Sequence, residues 1–95
     1  MVKRIYLAGT CDTKYPELDY VRARIREVGA QVVLVDLSTT EETPDGADIP
    51  AREVAAHHPG GADAVFTGDR GSAVAEMAQA FERFVTSRDD LAGLI

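Results

Sequence analysis

The chain has 95 residues, 45% hydrophobic and 27% charged, the balance of a folded domain, which excludes wholesale disorder and leaves no room for two domains. Sixteen acidic against ten basic residues leave a net charge of −6, which argues against nucleic acid as a partner but still allows one small phosphorylated ligand held at short range. The single cysteine, Cys11, has no internal disulfide partner, no signal-peptide pattern opens the chain, and no apolar run exceeds Val32 to Val35; the expectation is a cytoplasmic protein without a helical membrane span.

Ile5, Tyr6, Leu7 and Ala8 form a continuous apolar run ended by Gly9, the pattern of a buried parallel strand. After the loop Gly9-Thr10-Cys11-Asp12-Thr13-Lys14, Pro16 suits a first helical turn, and Leu18, Val21, Ile25 and Val28 recur at helical spacing before Gly29. Val32 to Val35, closed by Asp36, completes a βαβ unit. From Leu37 to Asp48 the composition reads as an exposed acidic loop. Asp48 is expected to N-cap a short helix with Pro50 in its first turn, running through Val54 to about His58 and stopped by Pro59-Gly60-Gly61. Ala64-Val65-Phe66 reads equally as a short strand or a buried loop. Val74, Met77, Ala78, Phe81, Phe84 and Val85 predict a long helix from Ser72 to about Arg88. Phe81 and Phe84 are expected to pack on a sheet face formed by Ile5, Leu7, Val33 and Val35 rather than to line a pocket. Leu91 to Ile95 reads as a third strand. The order predicts a three-layer, doubly wound, Rossmann/flavodoxin-like α/β fold with strand order 2-1-3, truncated after the third strand, with residues 1–95 forming the N-terminal part of one nucleotide-binding domain.

In open α/β sheets ligands bind beyond the carboxyl ends of the strands, which directs attention to the loop Gly9 to Lys14. Gly9 permits close approach, Thr10 and Thr13 offer hydroxyls, the following helix supplies free N–H groups, and Lys14 can neutralise a phosphate. The plain alternative is a strand-to-helix turn capped by Thr13 or Asp12. Cys11, at a helix N-terminus, is either a thiolate nucleophile for phosphotransfer or a small apolar filler. Glu17 stands where a cysteine-phosphatase loop carries its arginine. Asp36, with Ser38 and Thr39 beside it, occupies the place where a carboxylate accepts ribose hydroxyls, or else forms a capped turn. Gly68-Asp69-Arg70-Gly71 sets a charged pair at the mouth of the long helix, suited to an anion or to simple capping. His57 and His58 point in different directions, so helix capping is expected rather than metal binding. Glu41, Glu42, Asp45 and Asp48 read as a solvated acidic face, and no metal is expected.

Five ordered motifs, G-T-C-D-T-K, P-E-L-x-Y-V, V-D-L-S-T, A-D-I-P-A-x-E-V-A-A-H-H-P and G-D-R-G-x-A-V-x-x-M, strongly resemble the N-terminal domain of the Tm-one-like ATP-binding family, named for a plant virus-resistance protein. The resemblance covers essentially the whole chain. It implies a full protein of two doubly wound domains that binds ATP, tends to dimerise, and has no settled reaction. Residue by residue it points to Gly9, Thr10, Cys11, Asp12, Thr13 and Lys14, to Asp36, Ser38 and Thr39, and to Gly68, Asp69, Arg70 and Gly71. Members of that family continue past the position of Ile95 into a glycine- and serine-rich loop that resembles the main phosphate cradle. The expected function is therefore the N-terminal half of an ATP site, completed by the remainder of the parent chain. A competing class is an interaction or assembly module whose loops contact another subunit; a third is phosphotransfer through Cys11.

Overall fold

Three parallel strands, β1 (Arg4–Gly9), β2 (Val32–Asp36) and β3 (Leu91–Leu94), form one sheet in the order β2-β1-β3 in the computed structural model, which describes residues 3–39 and 46–95. β1 pairs with β2 from Ile5 opposite Val32 to Gly9 opposite Asp36, and with β3 across a register shift between Arg4 and Ile5. This is the expected α/β architecture and strand order.

Strand alternation divides the core into two halves. Tyr6, Val33 and Val35 face α2 (Ala51–Ala55) and α3 (Arg70–Thr86), whereas Leu7 and Leu34 face α1 (Cys11–Glu27). The expected grouping of Ile5 and Leu7 with Val33 and Val35 is therefore off by one place: the register sets Tyr6 opposite Val33 and Leu7 opposite Leu34. Burying each large side chain in these clusters contributes about 1.5–3 kcal/mol.

Helix α1 begins at Cys11, so most of the expected loop is its first turn and Pro16 lies inside it rather than near its start. The cause is tertiary. Asp36 and Ser38, at the end of β2, accept hydrogen bonds from the Cys11 and Asp12 N–H groups at 3.1 and 3.0 Å and cap the helix from outside. Val28 is 81% exposed because the helix stops at Glu27, and Gly29, at φ +85°, makes the stop that was read from sequence. Arg22, on the same helix, is buried. Its guanidinium donates to Gly46 O at 2.8 Å, Tyr15 Oη at 3.1 Å and Asp19 Oδ1 at 2.6 Å, tying α1 to the segment after β2.

That segment closes the outer edge of β2. Asp48 and Ile49 both donate N–H to Leu34 O, Ile49 O accepts from Asp36 N, and Asp48 Oδ2 accepts from Leu34 N at 2.8 Å. Asp48 thus caps a strand edge and not a helix, and the N-cap of α2 is Pro50. The helix ends at Ala55, leaving His57 and His58 in the turn that follows. Leu37 is half-buried and Ser38 buried, so the segment after β2 is not exposed from its start. Residues 40–45, with Glu41, Glu42 and Asp45, lie outside the described residues.

A 3-10 turn, Ala62–Ala64, precedes the fully buried Val65, which settles that stretch as a buried loop. On α3 the buried stripe is Ala73, Met77, Ala80 and Phe84, one place back from the expected one, and the two small alanines allow close helix packing. Val74 and Ala78 are exposed and Phe81 is half-buried. β3 is anchored by the buried Tyr6, whose hydroxyl donates to Asp90 Oδ1 at 2.6 Å and accepts from Arg88 Nε at 2.9 Å. Among the described residues no helix is long and apolar enough to cross a membrane.

Candidate functional site

Beyond the carboxyl ends of β1 and β2 lies an open cavity of about 500 Å³. One wall consists of Thr10, Asp12 and Thr13 at the head of α1, with Leu37 and Thr39 just after β2. Gly68, Asp69 and Arg70, at the head of α3, form the facing wall, and the apolar lining comes from α3 itself through Ala73, Val74, Met77, Ala78 and Phe81. Seven of the residues singled out from sequence are thus brought together: Thr10, Asp12, Thr13, Thr39, Gly68, Asp69 and Arg70. Gly9, Cys11, Lys14, Asp36, Ser38 and Gly71 are not among the lining residues.

The two helix heads differ in what they can still bind. At α1 the donors are taken: Cys11 and Asp12 by Asp36 and Ser38, and Thr13 and Lys14 by Thr10 O at 3.2 and 2.9 Å. The expectation that α1 offers free N–H groups is overturned, because the carboxylate at the end of β2 already fills that place. At α3 the N-cap residue Asp69 makes no side-chain capping bond. Ala73 N bonds Asp69 O at 2.8 Å, while the N–H groups of Arg70, Gly71 and Ser72 have no acceptor among the described residues. Gly68, at φ +87°, makes the turn that sets this head against the cavity. The exposed Arg70 guanidinium has no ion-pair partner among the described residues.

Asp36 is fully buried. Its Oδ1 accepts from Cys11 N, from Ser38 N at 2.9 Å and from Ser38 Oγ at 2.5 Å, while Oδ2 has no hydrogen-bond partner. The carboxylate is engaged in joining β2 to α1. Cys11 is 1% exposed; burial first, and then the Asp36 carboxylate, push its thiol up to about 12, so at neutral pH it is neither ionised nor accessible as a nucleophile. Lys14 is exposed on the first turn of α1, outside the cavity.

Residues 3–95 match the N-terminal domain of uncharacterised protein family UPF0261. The chain belongs to this family. It is 50% identical over 95 residues to UPF0261 proteins of Rhizobium meliloti (strain 1021) and Mesorhizobium japonicum, covering 99% of the chain and 24% of each relative. Over 113 aligned positions it is 34% identical to the ToMV resistance protein Tm-1(GCR237) of Solanum lycopersicum, covering 97% of the chain and 15% of that protein. The chain thus spans about a quarter of the length of its bacterial relatives, and the likeness to the virus-resistance protein is that of a more distant one.

In this UPF0261 domain the histidine pair tethers the turn after α2. His58 Nδ1 accepts from Gly60 N at 2.9 Å and its Nε2 pairs with Glu76 of α3, while His57 sits edge-on to Phe84 at 5.4 Å between ring centroids. The α3 part of the cavity was missed from sequence, where Val74, Met77, Ala78 and Phe81 read as core. The signal lay in the width of the apolar surface: Val74, Ala78 and Phe81 form a second stripe beside Ala73, Met77, Ala80 and Phe84, more than one packed face requires.

Proposed function

We propose that this domain forms one side of an ATP-binding site in a larger cytoplasmic protein. The observation that carries the reading is the head of α3, where Gly68, Asp69 and Arg70 line a cavity at the carboxyl ends of the strands and the N–H groups of Arg70, Gly71 and Ser72, in the same first turn, have no acceptor among the described residues. A helix N-terminus attracts negative charge, and a guanidinium grips phosphate in two-point fashion. Asp12 and Asp69 carry negative charge into the same cavity, so binding of an anion there depends on Arg70 and the helix head to outweigh them. The Thr10, Thr13 and Thr39 hydroxyls suit a sugar or phosphate on the facing wall, and the Val74–Ala78–Phe81 strip suits a flat base. The resemblance of the sequence motifs to an ATP-binding family points the same way.

Titrating ATP into the full-length protein by calorimetry tests this. Arg70→Ala is expected to weaken binding about tenfold or more, the worth of a charge-assisted hydrogen bond. Lys14→Ala, outside the cavity, is expected to leave affinity within about twofold. Absence of ATP binding, or binding indifferent to Arg70, overturns the reading.

A further inference from the structure

The turn after α2 is pinned to α3 through one imidazole. His58 donates its backbone N–H to Ala55 O at 3.0 Å, and its side chain is 10% exposed, so the ring is nearly enclosed yet still meets water. Its Nδ1 accepts the Gly60 N–H at 2.9 Å, and its Nε2 meets the Glu76 carboxylate on α3. A backbone N–H can only donate, so Nδ1 is the bare nitrogen and the single proton of the neutral ring lies on Nε2, from which it is donated to Glu76. Glycine at position 60 permits the approach: a Cβ there would lie 3.2 Å from Ala64 Cβ and 3.4 Å from His58 Nδ1. Gly60 and Gly61 also let that amide turn away at little steric cost.

We propose that His58 is a proton-operated latch on this turn. A proton taken up at Nδ1 converts the acceptor into a donor facing the Gly60 N–H, so that bond breaks and the amide rotates away, whereas the Nε2–H keeps Glu76 and gains charge assistance. Acid therefore releases the turn and tightens the ring to α3. Of the charged groups on the elements packed around the ring, Glu76 of α3 is the one that meets it: Arg52 of α2 and Asp63 of the 3-10 turn pair with each other at 3.7 Å, and Glu53 of α2 is exposed. The neighbouring His57 ring lies against Phe84. Because Glu76 shares α3 with Val74, Met77 and Ala78 of the cavity lining, a proton on His58 acts on the helix that forms one wall of the cavity, whatever that cavity binds.

Nuclear magnetic resonance on the full-length protein, labelled with nitrogen-15 in histidine and glycine, tests this. At about pH 8 the His58 Nδ1 is expected to show the shift of an unprotonated nitrogen and the Gly60 amide to be protected from exchange. As the pH falls to about 5.5, Gly60 protection is expected to drop about fivefold or more, the worth of one neutral hydrogen bond, with the same midpoint as the His58 ring. The His58→Asn variant, whose side-chain oxygen can stand in for Nδ1 but cannot titrate, is expected to keep Gly60 protected over the whole range. A proton on Nδ1 at about pH 8, a ring that takes up no proton by about pH 5.5, or Gly60 protection unchanged while the ring titrates overturns the proposal. So does an acid loss of Gly60 protection that persists in His58→Asn, which would place the switch in another group.

Discussion

At the scale of single residues the junction between β2 and α1 does most to define this domain, because one carboxylate organises it. Asp36 Oδ1 takes two backbone N–H groups and a hydroxyl, all buried. Asp36→Ala strands those donors and is expected to cost about 2–3 kcal/mol in chemical denaturation. Cys11 makes the same junction sensitive to base. Its folded-state pKa of about 12 stands above an ordinary value near 9, so the neutral thiol is favoured by folding. Its stabilising contribution is complete below about pH 9 and is lost as pH rises toward 12, because the unfolded chain gains a thiolate that the folded one cannot. A Cys11→Ala variant, compared with the wild type by denaturation from pH 8 to 11, is expected to lack that part of the alkaline decline. Identical pH profiles would show the thiol to be unperturbed.

Among the elements, α3 serves two purposes with two adjacent stripes. Phe84 is fully buried against Tyr6 at 6.1 Å between ring centroids and against His57, so Phe84→Ala is expected to cost about 3–5 kcal/mol through lost transfer energy and a cavity. Phe81 is half-buried and lines the open cavity, so the earlier expectation of a purely structural role gives way to a smaller stability loss, with any nucleotide affinity lowered as well. Arg83→Ala, on the exposed face, is expected to change stability by no more than about 0.5 kcal/mol. A thermal melt of the three variants separates these outcomes, and a Phe81→Ala loss as large as that of Phe84→Ala would assign both rings to the core. The link from β1 to β3 has its own test. Tyr6→Phe removes a hydroxyl that joins Arg88 to Asp90, with an expected cost of about 1–2 kcal/mol. The same hydroxyl holds the Asp90 carboxyl below its ordinary range, so the stabilisation is present above the usual carboxylate pKa and fades as pH falls through the lowered one.

For the whole molecule, the cavity has walls from α1, from the end of β2 and from α3, and the domain is about a quarter of its bacterial relatives. Phosphate contacts add through geometry held on several sides at once. The 95-residue chain alone is therefore expected to bind ATP about 100-fold or more weakly than the full-length protein, and micromolar affinity in calorimetry on the isolated domain would place the complete site within it.

Strand positions and sheet order were legible in the sequence because continuous apolar runs and a right-handed βαβ unit admit few arrangements; Ile5 to Ala8, Val32 to Val35 and Leu91 to Leu94 all became strands. Gly29 was legible as a stop because its positive φ is a local property of the backbone. What only the tertiary structure decided were matters of partnership. Asp36 reads in sequence either as a ligand carboxylate or as part of a capped turn; its position beside the head of α1 lets its Oδ1 accept from Cys11 N and Ser38 N, so the N–H groups expected to be free there are taken. Asp48 reads as a helix cap but meets the open edge of β2 first. On α3 the apolar count was visible, but not which of two neighbouring stripes would face the sheet. That choice followed from the small volumes of Ala73 and Ala80, which let the helix approach closely on one side and left Val74, Ala78 and Phe81 to line the cavity on the other.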